Sequence, residues 1–133
     1  MKYAVLTARI LLGAAFIVFG LEYFLHFMNL PMPELTENAK KFGEAMHATK
    51  YMTVVKALEV TGGVLVLTGL FLPLGLVILT PVIVNIVLWD MLLMGAPGLG
   101  LVFLALAIFL IFAYRANFYS LFAIGAKPSC CRM

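Results

Sequence analysis

The chain has 133 residues, 65% of them hydrophobic and only 11% charged, with a formal net charge of +3 and a mean hydropathy of +1.12. Soluble domains carry about 25% charged residues, so this composition excludes an ordinary water-soluble globule and assigns the chain to a membrane. The positive charge is scattered, without a basic stripe or an arginine-rich tail, and nothing in it suits a nucleic-acid partner.

The first apolar run extends from Val5 to Met28 and predicts a membrane span over residues 6–28. It far exceeds the roughly 7–15 apolar residues of a secretory leader, and Arg9 interrupts it, so a retained helix is expected. Pro31 and Pro33 then break the helix and open a polar loop from Asn29 to Lys50. From Glu34 onward, Leu35, Ala39, Phe42, Ala45 and Met46 recur at near-helical spacing with charges between them. That pattern predicts a short amphipathic helix on the membrane surface, with a plain solvated loop as the alternative.

The second span is expected over 52–72, whose 21 residues reach about 31 Å at 1.5 Å each, enough to cross hydrocarbon. A turn at Leu72-Pro73-Leu74-Gly75 sends the chain back into a third span over 74–94, closed by Gly95-Ala96-Pro97-Gly98. The fourth is expected over 99–119, and residues 123–133 form a short polar tail. The expected fold is all-α: an integral-membrane antiparallel four-helix bundle, a single domain over residues 1–122, with a short amphipathic helix in its first loop. Tyr3, Tyr114 and Tyr119 mark one interface, and Tyr23, Tyr51 and Trp89 the other. Lys2, Arg9, Arg115, Lys127 and Arg132 on the terminal side face Lys40, Lys41, Lys50 and Lys56 opposite. This slight excess favours cytoplasmic termini.

Three acids, Glu22, Glu59 and Asp90, interrupt the apolar runs. An ionisable group within a bilayer is costly and marks function by default. Antiparallel threading gathers Glu22 and His26, Lys56 and Glu59, and Asn85, Trp89 and Asp90 at the loop-covered end. Glu22 and His26 are four apart and share a helix face; Lys56 and Glu59, three apart, can pair. Asn85 follows Pro81 by one turn, and the missing proline N–H leaves a carbonyl that polar neighbours satisfy. The expected site is a polar pocket in which Glu22 and Glu59, the catalytic candidates, transfer protons. His26 donates a hydrogen bond, Asn85 orients a ligand, and Trp89 and Asp90 complete the binding wall.

Plainer readings stand beside this one. Asp90 and His26 lie within about a turn of the interface and can reach water, Glu59 can serve only as the partner of Lys56, and Asn85 can simply join helices. Glu22, about four residues inside its span with no local cation, resists such an account. At the opposite end, Arg9 and Arg115 are expected to be structural, with Arg9 extending towards headgroups. Gly62-Gly63 suggests a close helix contact.

No G-x-S-x-G, H-E-x-x-H, C-x-x-C or glycine-rich phosphate loop is present. Glu22, His26 and Glu59 have ligand chemistry, but their spacing demands no metal, and none is expected. His26 and His47 could flank a haem only if the loop folded over the first span. Cys130 and Cys131, adjacent near the C-terminus, exclude a disulfide framework. The closing Cys130-Cys131-Arg132-Met133 departs from a prenylation box at Arg132.

Several segments resemble the DoxX family of small bacterial membrane proteins. They are Arg9-Ile10-Leu11-Leu12-Gly13, Phe19-Gly20-Leu21 and Phe24-Leu25-His26-Phe27, followed by the stretch from Lys56 to Leu65 and by Pro81-Val82-Ile83-Val84-Asn85. The likeness spans about residues 5–122. It implies a four-helix bundle in the bacterial inner membrane, and the family is linked to quinone-dependent sulfur redox chemistry and to membrane complexes handling thiol stress. A lysine common after Gly20-Leu21-x is replaced here by Tyr23, so roles of that lysine do not transfer. The leading expectation is a pocket for a hydrophobic molecule such as a quinone, in a redox or proton-transfer role. Whether the chain is an enzyme, as a subunit of a quinone-linked oxidoreductase, stays open. The alternatives are a non-catalytic membrane subunit or assembly factor, bound to a partner or to a second copy, and a proton-coupled transporter.

Overall fold

Backbone immersed in hydrocarbon must satisfy its own polar groups, which drives long apolar runs into helices. The computed structural model describes residues 1–29, 31 and 34–125, and the side chain of Phe122 is not among what it describes. The expected break at Pro33 and the tail cysteines Cys130 and Cys131 lie outside those residues. Helices are the regular structure of the described residues, among which there is no strand. Its elements are α1 (Lys2–Leu25), α2 (Glu37–Ala48), α3 (Tyr51–Thr68), α4 (Leu72–Leu88), α5 (Leu99–Ala113) and α6 (Arg115–Phe118). A π-helical turn, Trp89–Leu93, prolongs α4, and a 3-10 turn, Tyr119–Phe122, follows α6.

Three helices, α1, α3 and α4 with its π turn, are long and apolar enough to cross a membrane. The fourth expected span is less simple. Its straight part, α5, has 15 residues, about 22 Å against a hydrocarbon thickness of about 30 Å. Beyond Ala113 the path bends by 83°, so α5 qualifies only together with its bent continuation to Leu121.

Local chemistry sets the ends. His26 adopts a left-handed conformation (φ 49°, ψ 45°) and donates its N–H to the Glu22 carbonyl, which stops α1 at Leu25, short of the expected Met28. The turn between α3 and α4 occupies Gly69–Phe71, three residues before the expected Leu72–Gly75. Gly69 takes φ 74° there, where a residue without Cβ is unstrained, and closes α3 on the Leu65 carbonyl. Pro73 falls in the first turn of α4, a position that needs no N–H donor. Pro81 lies inside α4, which continues unbroken past it. The loop helix begins at Glu37 because the Thr36 hydroxyl accepts the Ala39 N–H at 3.3 Å.

Both α1 and α4 pack against α3 and α5. Leu12 and Phe16 of α1, Val66 of α3, Leu76, Leu79 and Ile83 of α4, and Leu110 of α5 are fully buried between them. Glycines allow backbone to meet backbone. A Cβ on Gly13 would lie 2.9 Å from the Leu67 nitrogen, and one on Gly63 would lie 2.9 Å from the Gly13 carbonyl. The outer faces expose Leu11, Val54, Val77, Leu92, Val102 and Phe112. Such surfaces are at rest in lipid and a liability in water.

Helix α2 lies across the end where α1 finishes and α3 begins. The Thr36 hydroxyl donates to the Leu93 carbonyl at 2.6 Å. Phe42 packs on Trp89 with centroids 5.6 Å apart, and His47 stacks on Tyr23, also at 5.6 Å. The short helix expected in the loop is therefore fastened to α1 and to the far end of α4.

Candidate functional site

Under α2 lies a cavity of about 690 Å³, within the roughly 300–1,000 Å³ typical of small-molecule sites. Glu22, Tyr23, His26, His47, Lys56 and Glu59 supply its polar lining. Phe16, Phe19, Ile86, Leu99 and Phe103 supply its apolar lining. Phe103 stands 5.0 Å from Phe16 and 6.2 Å from Phe19, ring centre to ring centre.

The most deeply placed polar group is Glu59, which is 2% exposed and is the buried charged residue among those described. The Lys56 ammonium donates to both of its carboxylate oxygens, at 3.1 and 2.9 Å. A buried carboxylate needs such a partner, because an isolated charge in a low-dielectric interior is severely disfavoured. The three-residue spacing on α3 makes the pair possible. Behind it, a second hollow of about 110 Å³ is lined by Met46, Val82, Asn85 and Trp89 as well as by Lys56 and Glu59. The ion pair is therefore a wall shared by two hollows.

The remaining expected site residues separate by environment. Glu22 accepts the Met28 N–H at 2.7 Å with its carboxylate, while its carbonyl accepts the His26 N–H. It thus closes the end of α1 and also faces the cavity, which accounts for its presence late in an apolar span. His26 borders the same cavity from its left-handed position. Asn85 and Trp89 are on the other side of the ion pair, at the smaller hollow and at a groove beside Phe42. Asp90 borders neither hollow. Its carboxylate accepts the Gly100 N–H at 3.0 Å, at the start of α5, where unpaired helix N–H groups favour an anion.

The structure brings Glu22, His26, Lys56 and Glu59 around one cavity and adds Tyr23 and His47. Tyr23 also shares a hydrogen bond with the Thr53 hydroxyl at 3.1 Å. Lys56 of α3 supplies the cation of this lining. Its pairing with Glu59 was readable from spacing, whereas the approach of His47 depends on how α2 folds back. Among the described residues no group of three or more histidine, cysteine or acidic side chains could hold a metal ion.

Long apolar helices with exposed apolar surfaces, and ionisable groups gathered at one end, define a multi-pass membrane protein. More particularly, the DoxX family model matches residues 4–91, and the chain belongs to the DoxX family. No curated protein and no solved structure matches it.

Proposed function

We propose that this chain is an antiparallel four-helix bundle of the bacterial inner membrane, termini cytoplasmic, that binds a hydrophobic molecule with a polar head, of the quinone class. The observation that carries the reading is a cavity whose lining joins aromatic and aliphatic side chains with hydrogen-bond donors and carboxylates. A quinone ring would rest among Phe16, Phe19 and Phe103. Lys56 and His26 would donate hydrogen bonds to its oxygens, and Glu22 and Glu59 would hold and release protons at their carboxylates. Asn85 and Trp89 would line a second compartment, reached through the Lys56–Glu59 wall, and Asp90 would fix the helix that forms the cavity's far side. A bound quinone would supply reversible uptake of electrons and protons; the chain's part is to bind, orient and shield it.

The test is lipid extraction and mass spectrometry of the protein purified in mild detergent. Wild type should retain a quinone-class molecule. Leu99→Trp, which fills the cavity from an exposed position, and Glu22→Gln should both lose it. Equal cargo in all three proteins, or none in wild type even after incubation with added quinone, would overturn the reading.

A further inference from the structure

At the end opposite the cavity, α1 begins, α3 stops and α5 bends away. A second cavity of about 520 Å³ opens there between α1 and α5, lined by Lys2, Val5, Leu6 and Arg9 on one side and by Ala113 and Tyr114 on the other. Both ionisable side chains of ordinary charge in that lining are cations.

Three observations concern what this cavity lacks. The Arg9 Nε is buried and has no hydrogen-bond partner among the described residues. The two ion pairs among those residues, Lys41–Glu37 and Lys56–Glu59, leave Arg9 out. All six acidic side chains of the sequence, Glu22, Glu34, Glu37, Glu44, Glu59 and Asp90, belong to α1's far end, the α2 loop, the first half of α3 or the π turn after α4. None is available to the terminal end, which holds Lys2, Arg9 and Arg115.

The chain does compensate Arg9 in part. Its guanidinium rests against Gly69, such that a Cβ there would lie 2.8 Å from Nη1, at the partially negative C-terminus of α3. This contact positions the guanidinium but gives it no full counter-charge. The first turn of α1 adds to the positive field, since it has unpaired N–H groups, no side-chain cap and no acidic residue.

We infer that this cavity binds a phosphate group, delivered by the headgroup of an anionic membrane lipid. Guanidinium donors match phosphate oxygens in a two-pronged geometry, and Lys2 adds a point charge. Val5, Leu6 and Ala113 continue the lining into an apolar surface, which receives the glycerol and upper acyl carbons but offers nothing to a free anion. The site is separate from the quinone cavity and does not depend on it.

Native mass spectrometry of the full chain, released from nanodiscs containing equal phosphatidylglycerol and phosphatidylcholine, tests the inference. Wild type should retain phosphatidylglycerol over phosphatidylcholine by about tenfold, the scale of one charge-assisted contact. Arg9→Gln should bring the ratio near unity, and Arg9→Lys should restore part of it. Lys2→Gln, at an exposed position, should lower the ratio even if Arg9→Gln fails to fold. Equal retention of the two lipids by wild type, or an unchanged ratio in the Arg9→Gln and Lys2→Gln proteins, would overturn the proposal. Displacement of phosphatidylglycerol by equimolar inorganic phosphate would overturn the lipid as its source.

Discussion

Lys56 and Glu59 form a two-pronged ion pair, 3.1 and 2.9 Å, in which the carboxylate is almost wholly buried and the ammonium side chain 22% exposed. Removing one partner leaves an uncompensated charge in the interior, whereas removing both leaves none. Lys56→Met should therefore destabilise the protein by about 3–5 kcal/mol. The double variant Lys56→Met/Glu59→Leu should recover most of that loss. Thermal unfolding in a single detergent, followed by circular dichroism, provides the comparison; a double variant less stable than Lys56→Met contradicts this account.

The Asp90 carboxylate holds the first turn of α5. A Cβ on Gly98 would lie 2.5 Å from its Oδ2, and one on Gly100 would lie 2.9 Å from the same atom. Asp90→Ala should cost about 1 kcal/mol, the usual worth of a helix N-terminal acceptor. Gly98→Ala should also destabilise, by displacing the carboxylate. Combined with Asp90→Ala it should cost little more, because the clash has gone. Hydrogen exchange at Leu99 to Leu101 together with unfolding curves measures this coupling.

Glu22 caps α1 and faces the cavity, and two substitutions separate those roles. A glutamine keeps an oxygen for the Met28 N–H, so Glu22→Gln should cost no more than about 1 kcal/mol while removing the charge. Glu22→Ala loses the acceptor as well and should cost about 1–2 kcal/mol more. Equal melting temperatures for the two variants would show that the cap is energetically idle.

Contact between α1 and α3 depends on the absence of side chains at Gly13 and Gly63. An alanine at either would meet backbone atoms at about the 2.9 Å already noted, and backbone yields little. Each substitution should cost about 1–3 kcal/mol through forced separation of the helices. Cysteine pairs placed across the α1–α3 contact should crosslink more slowly in Gly63→Ala than in wild type.

Much of this architecture could be read from residue order. Apolar runs revealed the helices, and spacing paired Lys56 with Glu59. Glu22, His26 and Glu59, expected at one end from the order of the apolar runs, line a common cavity. The bend after Ala113 was hidden, because no proline or glycine marks it and the polar Arg115 and Asn117 follow it among further apolar residues. The α3–α4 turn was misplaced because Pro73 reads as a break, although in a first helical turn it is compatible with helix. Asp90 was hardest to interpret: its partner, the Gly100 N–H, lies beyond a turn whose geometry no periodicity encodes. The approach of His47 to Tyr23 likewise depends on tertiary packing.

The seams between helices are not alike. Along α3, glycines bring main chain against main chain, and neither flank can part without the whole segment shifting. Between α1 and α5 the closure is made instead by Phe16, Phe19 and Phe103. That seam is therefore set by side-chain rotamers, and the seams along α3 by the main chain itself.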